Sequence, residues 1–202
     1  MIMTEIVLDG VDEKQRKIAE NEIKQIIINS NESSNIIDLF RITNNFEEAV
    51  QKLTGLNTYK AAHAYGTAVG KTIPLNKNGK LRYALVFDGK FFSEWNKNNK
   101  ILRISTFLHE LSHVITGYKR WLKIGQDEFF SSPKGKNGWL LHLAITVWEE
   151  YEADRFKFKV LKDIVDEIGG NITDNLTSGL ADDLEEKIQD LSVCVNTLEK
   201  KD

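Results

Sequence analysis

Apolar positions recur with helical spacing in the front part of the chain and predict mainly helices there. Residues 11–29 begin polar and turn apolar, which indicates one helix, although the Ile-rich run 26–28 would also suit a strand. A polar segment then breaks the pattern, and a shorter helix is predicted around residues 34–41. Another helix is predicted over residues 45–53, with Asn45 as its N-cap, because asparagine is a favoured capping residue.

The next part of the chain has a pattern that is typical of strands. Glycines and β-branched residues accompany the apolar positions there, and we predict two antiparallel strands at about 64–73 and 81–88. Asn78 and Gly79 lie between them, and this dipeptide is the strongest short-range signal of a hairpin. Pro74 stands at the end of the first strand. Because proline lacks an amide hydrogen, it favours an edge position.

Long helices are predicted for the rest of the chain. The first covers residues 101–116 and ends near Gly117, a residue type that commonly terminates helices. Residues 118–138 are predicted as a solvated loop, or alternatively as a rim above a cleft. A second long helix covers residues 139–168. A last helix over 181–199 has one apolar stripe, which would pack on the same chain or, alternatively, form a dimer seam. That stripe consists of Leu184, Ile188, Leu191, Val195 and Leu198.

Composition and charge narrow the class of protein. The chain has 202 residues, of which 41% are hydrophobic and 28% charged, as in ordinary globular domains. The net charge is −3, without the excess of basic residues that is typical of nucleic-acid-binding domains, so we expect no nucleic-acid partner. Cys194 is the single cysteine, which excludes an internal disulfide framework. We see no signal-peptide pattern and no uncharged apolar run near 18 residues, and therefore expect a soluble, cytoplasmic protein without a membrane span.

Two of the four histidines form an H-E-x-x-H motif, His109-Glu110-Leu111-Ser112-His113. On a helix, residues four apart lie on one face, so both imidazoles can converge on a single ion. A neutral imidazole pair suits Zn²⁺. Glu110 lies about 100° around the helix from His109, where it can accept a proton from the attacking water without binding the metal.

The two faces of the helix that carries this motif differ in the way that a metal site on one face would require. Its other side is apolar and is expected to pack on the core, whereas small polar residues surround the histidines. The apolar positions are Ile104, Phe107, Leu111, Val114 and Ile115. The alternative is a pair of helix histidines that bind no metal.

A third protein ligand is expected on the second long helix, where two acids interrupt a largely apolar face. That face consists of Leu143, Val147, Glu150, Asp154, Lys157, Leu161 and Ile164. Burying a carboxylate is unfavourable unless it has a cation or strong donors as partners. Glu150 as a zinc ligand would leave Asp154 to accept a histidine N–H. Lys157 would extend to solvent or, alternatively, pair with Asp154, and Glu149 and Glu152 are expected to be solvated.

The two motifs together resemble a known class of enzymes. HELSH is followed 37 residues after its second histidine by EYEAD, and this arrangement resembles the gluzincin zinc metallopeptidases. The closer resemblance is to the ImmA/IrrE group, whose second helix has the pattern E-x-E-A-(N/D)-x-F. The matching positions are Glu150, Glu152, Ala153, Asp154 and Phe156. The resemblance covers residues 62–165 and departs from the group at Lys157-Phe158 and in the first 60 residues.

The resemblance implies a site and a fold. His109, His113 and Glu150 would hold zinc, Glu110 would be the general base, and Asp154 would support the ligands. The fold would be α+β and zincin-like, with a small antiparallel sheet packed on the active-site helix and on a second, ligand-bearing helix. Extra helices would lie at both ends. A single domain, 1–202, would comprise a helical part (1–60), a catalytic core (62–168) and a C-terminal amphipathic helix (180–200).

The expected activity is hydrolysis of peptide bonds in a protein or peptide substrate. Glu110 would deprotonate the attacking water and return the proton to the leaving amine. An extended substrate would pair with an edge strand, which we place at 81–88. His142, Tyr118 and Tyr151 are candidate donors to the oxyanion. One alternative is a non-catalytic zincin-fold interaction module with a structural or vestigial metal, and another is a zinc hydrolase of non-peptide amides.

Overall fold

A computed structural model describes most of the chain. The described residues are 4–29, 35–63, 66–93, 95, 100–131 and 137–167. The chain divides into two compact units, Met1–Ser132 and Pro133–Asp202. The predicted C-terminal helix over 181–199 lies outside the described residues.

The first unit contains both strands and helices. Its strands are β1 (Glu5–Val7), β2 (Ile37–Thr43), β3 (Ala62–His63), β4 (Gly66–Thr67), β5 (Gly70–Lys77) and β6 (Lys80–Asp88). Its helices are a 3₁₀ turn (Glu13–Gln15), α1 (Arg16–Asn29), α2 (Phe46–Thr54), α3 (Gly89–Phe92), α4 (Lys100–Ile124) and α5 (Gln126–Phe130). In the second unit the structure describes one long helix, α6 (Gly138–Glu167). The α+β class is therefore confirmed.

The main sheet is mixed, so the prediction of an antiparallel sheet is wrong in part. Its strand order is β1-β2-β6-β5, with β1, β2 and β6 parallel and β5 antiparallel to β6. The error comes from residues 34–41, where a helix was predicted and β2 is found. This strand lies between β1 and β6, and pairing on both sides outweighs the weak helical pattern of its sequence.

Helices cover both faces of this sheet. On one face, α1 and α4 contribute apolar side chains to a core with β2 and β6, in which Phe40, Phe87 and Phe107 are in mutual ring contact. On the other face, α2 packs Phe46 and Val50 against β5 and β6. The helix predicted over 45–53 is thus confirmed. Its N-cap residue Asn45 makes no side-chain capping hydrogen bond.

The predicted hairpin is confirmed. Asn78 and Gly79 have φ values of 53° and 76°, and Lys77 pairs with Lys80 across them, as in a type I′ turn. Pro74 lies in β5, which is one of the two edge strands of the sheet, as its missing amide hydrogen predicted.

The helix that carries the histidines is longer than predicted. It continues through Gly117 to Ile124, and a short helix α5 follows, so the predicted loop over 118–138 is wrong for most of the part that the structure describes. Gly117 serves packing instead: a Cβ there would lie 2.3 Å from the hydroxyl of Tyr83 on β6. The second long helix, predicted over 139–168, is confirmed as α6.

No helix in the described part of the chain is long and apolar enough to cross a membrane.

We expect the variant Gly117→Ala to lower the free energy of unfolding by about 1–3 kcal/mol, because the added methyl group overlaps the Tyr83 hydroxyl. Helix propensity alone predicts the opposite sign, a gain of about 1 kcal/mol. Urea denaturation measures the difference. Adding Tyr83→Phe should recover part of the loss, since it removes the clashing oxygen. A Gly117→Ala protein as stable as the wild type would contradict the close approach.

Candidate metal centre

Helix α4 brings two imidazoles together as the H-E-x-x-H spacing predicts. The Nε2 atoms of His109 and His113 lie 3.2 Å apart, and both side chains are partly buried. Two nitrogens bound to one tetrahedral zinc ion at 2.0–2.1 Å lie about 3.4 Å apart. The pair therefore has the spacing that a shared metal ion needs, and the same spacing also allows one ring to donate a hydrogen bond to the other.

A carboxylate completes the donor set. One ligand atom from each of His109, His113 and Glu150 lies within 4.8 Å of the other two, and in the described part of the chain this is the one such group that could hold a metal ion. Two imidazole nitrogens and one carboxylate oxygen form a typical three-ligand set for catalytic zinc, with a fourth position left open. The chemistry of the donors thus fits zinc, and it would also accept other divalent transition metals.

Glu110 is buried and in contact with the edge strand. The Thr72 hydroxyl lies 2.8 Å from the Glu110 backbone oxygen and 2.8 Å from its Oε2, and because it has one proton, it donates to one of them at a time. The Cγ and Oε1 atoms of Glu110 lie 3.0 Å from where a Cβ on Gly70 would stand. Strand β5 therefore restricts the position of the Glu110 carboxylate from two sides.

The opposite side of α4 packs on the core. Phe107, Leu111 and Val114 are buried in the cluster formed with α1 and the sheet. This apolar face was predicted from the sequence. Since it anchors the helix, the side that carries the histidines is directed away from the core.

Two further acids lie on the described helix of the second unit. Asp154 is largely buried, and its Oδ1 lies 2.8 Å from the ammonium group of Lys157. This ion pair is one of the two arrangements expected for Lys157. The hydrogen bond from a histidine to Asp154 stays a prediction. Glu152 pairs with Arg155 at 3.3 Å near the surface of α6, in agreement with its expected solvation.

The three candidate oxyanion donors have different surroundings. Tyr118 is partly buried and stacks on Trp121, with ring centroids 5.8 Å apart. His142 and Tyr151 are exposed side chains of α6. These environments favour none of the three as the donor, so that role stays a prediction.

The structure adds three residues that the sequence analysis did not select. Gly70 and Thr72 contact Glu110, as described above. Tyr59 has a buried hydroxyl with no hydrogen-bond partner among the described residues. Burial raises the pKa of this phenol, and the negative charges of Glu110 and Glu47 raise it further. A glycine in a strand often marks close backbone approach, which was the available signal for Gly70. The chain offered no comparable signal for Thr72 or Tyr59.

Comparison of the chain with protein-family models, curated proteins and solved structures finds no match. The proposed metal centre is therefore supported by its own residues and their geometry alone.

We expect Glu150→Gln to weaken zinc binding about 100-fold or more, because an amide is a poorer ligand than a carboxylate and one of three protein ligands is affected. Glu152→Gln is the matched control, since its side chain belongs to the same helix and pairs with Arg155. Competition with a chromogenic chelator measures both affinities. Equal zinc affinity in the two variants would remove Glu150 from the ligand set.

Proposed function

We propose that the protein is a zinc-dependent metallopeptidase. His109, His113 and Glu150 would hold the ion, and Glu110 would be the general base. The observation that carries the proposal is the group of three ligand atoms within 4.8 Å of one another. The Nε2 separation of 3.2 Å supports it, because it is close to the distance between two nitrogens that share one tetrahedral ion.

Glu110 has the chemistry and surroundings of a general base. When bound, zinc would polarise a carbonyl oxygen and make water more acidic. Glu110 follows His109 in the chain and points about 100° away from it around the helix, so it would flank the ligands rather than join them. Its carboxylate would accept the proton of the attacking water and then donate it to the leaving amine.

Strand β5 would orient that carboxylate. The Thr72 hydroxyl can donate to Oε2, which lies 2.8 Å away, and the absence of a side chain at Gly70 makes room for Oε1. A general base must stand within hydrogen-bond distance of the proton that it removes, so these two contacts support a single position of the carboxylate.

A peptide is the substrate class that the sheet favours. The edge strand was expected at 81–88, but that prediction is wrong, because β6 lies between β2 and β5. The outer edge, by which we mean the side of β5 that faces away from β6, is the edge of the sheet next to the proposed base. Its residues Gly70 and Thr72 contact Glu110. An extended chain that pairs with this edge would place its peptide bonds beside the base.

We expect Glu110→Gln to retain about one zinc ion per chain and to lose hydrolysis of a peptide library by roughly 10²–10⁴-fold, the usual contribution of a general base. Glu128→Gln, an exposed substitution on α5, should keep both properties. Metal content and mass-spectrometric detection of cleavage measure the two effects.

The other possible outcomes favour another function or another mechanism. Zinc binding by the wild type without cleavage of any peptide would favour an interaction module with a structural metal. Turnover of small amides without turnover of peptides would favour a hydrolase of non-peptide amides. Equal cleavage by wild type and Glu110→Gln would remove Glu110 from the mechanism.

We expect Gly70→Ala to reduce kcat by about 10²-fold while zinc content stays unchanged, because the new methyl group displaces the Glu110 carboxylate. Lys71→Ala is the matched control, since this neighbouring side chain is exposed. Steady-state kinetics and metal analysis separate the two effects. Loss of zinc from Gly70→Ala would indicate that the glycine supports the ligands rather than the base.

A further inference from the structure

The pairing of β5 with β6 determines which backbone groups of β5 point to the outer edge. Lys77 and Lys80 close a two-residue turn and therefore form a hydrogen-bonded pair, and such pairs alternate along an antiparallel ladder. The amide of Asp88 donates to the carbonyl of Val69 at 2.9 Å, which agrees with this alternation. The residues whose backbone groups point to the outer edge are Gly70, Thr72, Pro74 and Asn76.

The first two of these positions are the ones that contact Glu110. In a strand, alternate residues share both a side-chain face and a backbone direction. Gly70 and Thr72 therefore face α4 and also present N–H and C=O groups at the outer edge. Four main-chain hydrogen-bonding groups thus lie beside the proposed general base.

Pro74, the third of these residues, interrupts the series of outward-pointing amides. Pro74 is exposed and has no amide hydrogen, so it offers a carbonyl acceptor alone. Beyond Thr72, the next outward amide belongs to Asn76, about 13 Å along the strand at 3.3 Å per residue. A chain paired with the outer edge therefore loses one hydrogen-bond donor where it passes Pro74.

We propose that Pro74 ends the main-chain pairing between β5 and a peptide substrate, so that recognition is confined to a short extended segment opposite Gly70 and Thr72. This inference rests on the proposed function. Substrate residues that pass Pro74 receive no hydrogen bond from an amide at that position, and the length of the substrate beyond that point has little effect on KM. The same proline also disfavours pairing of the exposed edge with unrelated strands.

A peptide-length series tests this proposal. Peptides that share one cleaved bond are extended one residue at a time at either end and assayed with zinc-loaded wild type, Pro74→Ala and Lys71→Ala. We expect the wild-type KM to become constant with length. Pro74→Ala, which restores the outward amide, should lower KM about fivefold for the longer peptides alone, the effect of one hydrogen bond. Lys71→Ala changes an exposed side chain whose amide points to β6, and it should match the wild type.

Amide hydrogen exchange provides a measurement that requires neither hydrolysis nor the Pro74 variant. On zinc-loaded Glu110→Gln protein, a long peptide should slow exchange at the amides of Gly70 and Thr72 and leave Asn76 unchanged. Protection of Asn76 in that protein, or a wild-type KM that keeps falling past Pro74, would overturn the proposal while the peptidase function stands. Protection of Gly70 and Thr72 without any hydrolysis by wild type would support the pairing and contradict the function. If no peptide is cleaved and none slows exchange at the amides of Gly70 and Thr72, both proposals fail.

Discussion

The contact between Glu110 and strand β5 is the constraint on which the proposed chemistry depends. A buried carboxylate is unfavourable unless donors replace its water, and the Thr72 hydroxyl is such a donor at 2.8 Å. The same contact favours a glycine at position 70, because a Cβ there would stand 3.0 Å from Cγ and Oε1 of Glu110. These contacts fix where α4 lies against β5, and the residues that contact the proposed base would also face the proposed path of a substrate.

Helix α4, which carries Glu110, has close contacts with the sheet and with α1. Gly117 allows α4 to approach the Tyr83 hydroxyl closely, and the helix continues past this residue to Ile124. Near its start, the buried Arg103 lies 3.3 Å from Glu22 of α1, and its guanidinium stands 4.2 Å over the Trp95 ring. Interactions near both ends therefore restrain the helix that carries the histidines, and the proposed metal-ligand pair would benefit because such a geometry must be kept within fractions of an ångström.

The interior strands of the sheet and the edge strand β5 have different roles. Strands β2 and β6 form its interior and contribute to cores on both faces, while β1 and β5 stand at its two edges. An exposed edge can pair with a substrate but also with any other extended chain, and proteins limit the second risk with proline or charge. Strand β5 has both features, because it contains Pro74 and the exposed, charged residues Lys71 and Lys77.

The sequence by itself determined the features that arise within a few residues of one another. The approach of His109 to His113 follows from helical spacing, and the hairpin follows from the positive φ angles that Asn78 and Gly79 readily adopt. Only the tertiary structure decided that Ile37–Thr43 is a strand, that α4 passes Gly117, and that β5 rather than β6 is the edge. Each of these depends on a partner distant in the chain, whose packing or pairing outweighs local preference.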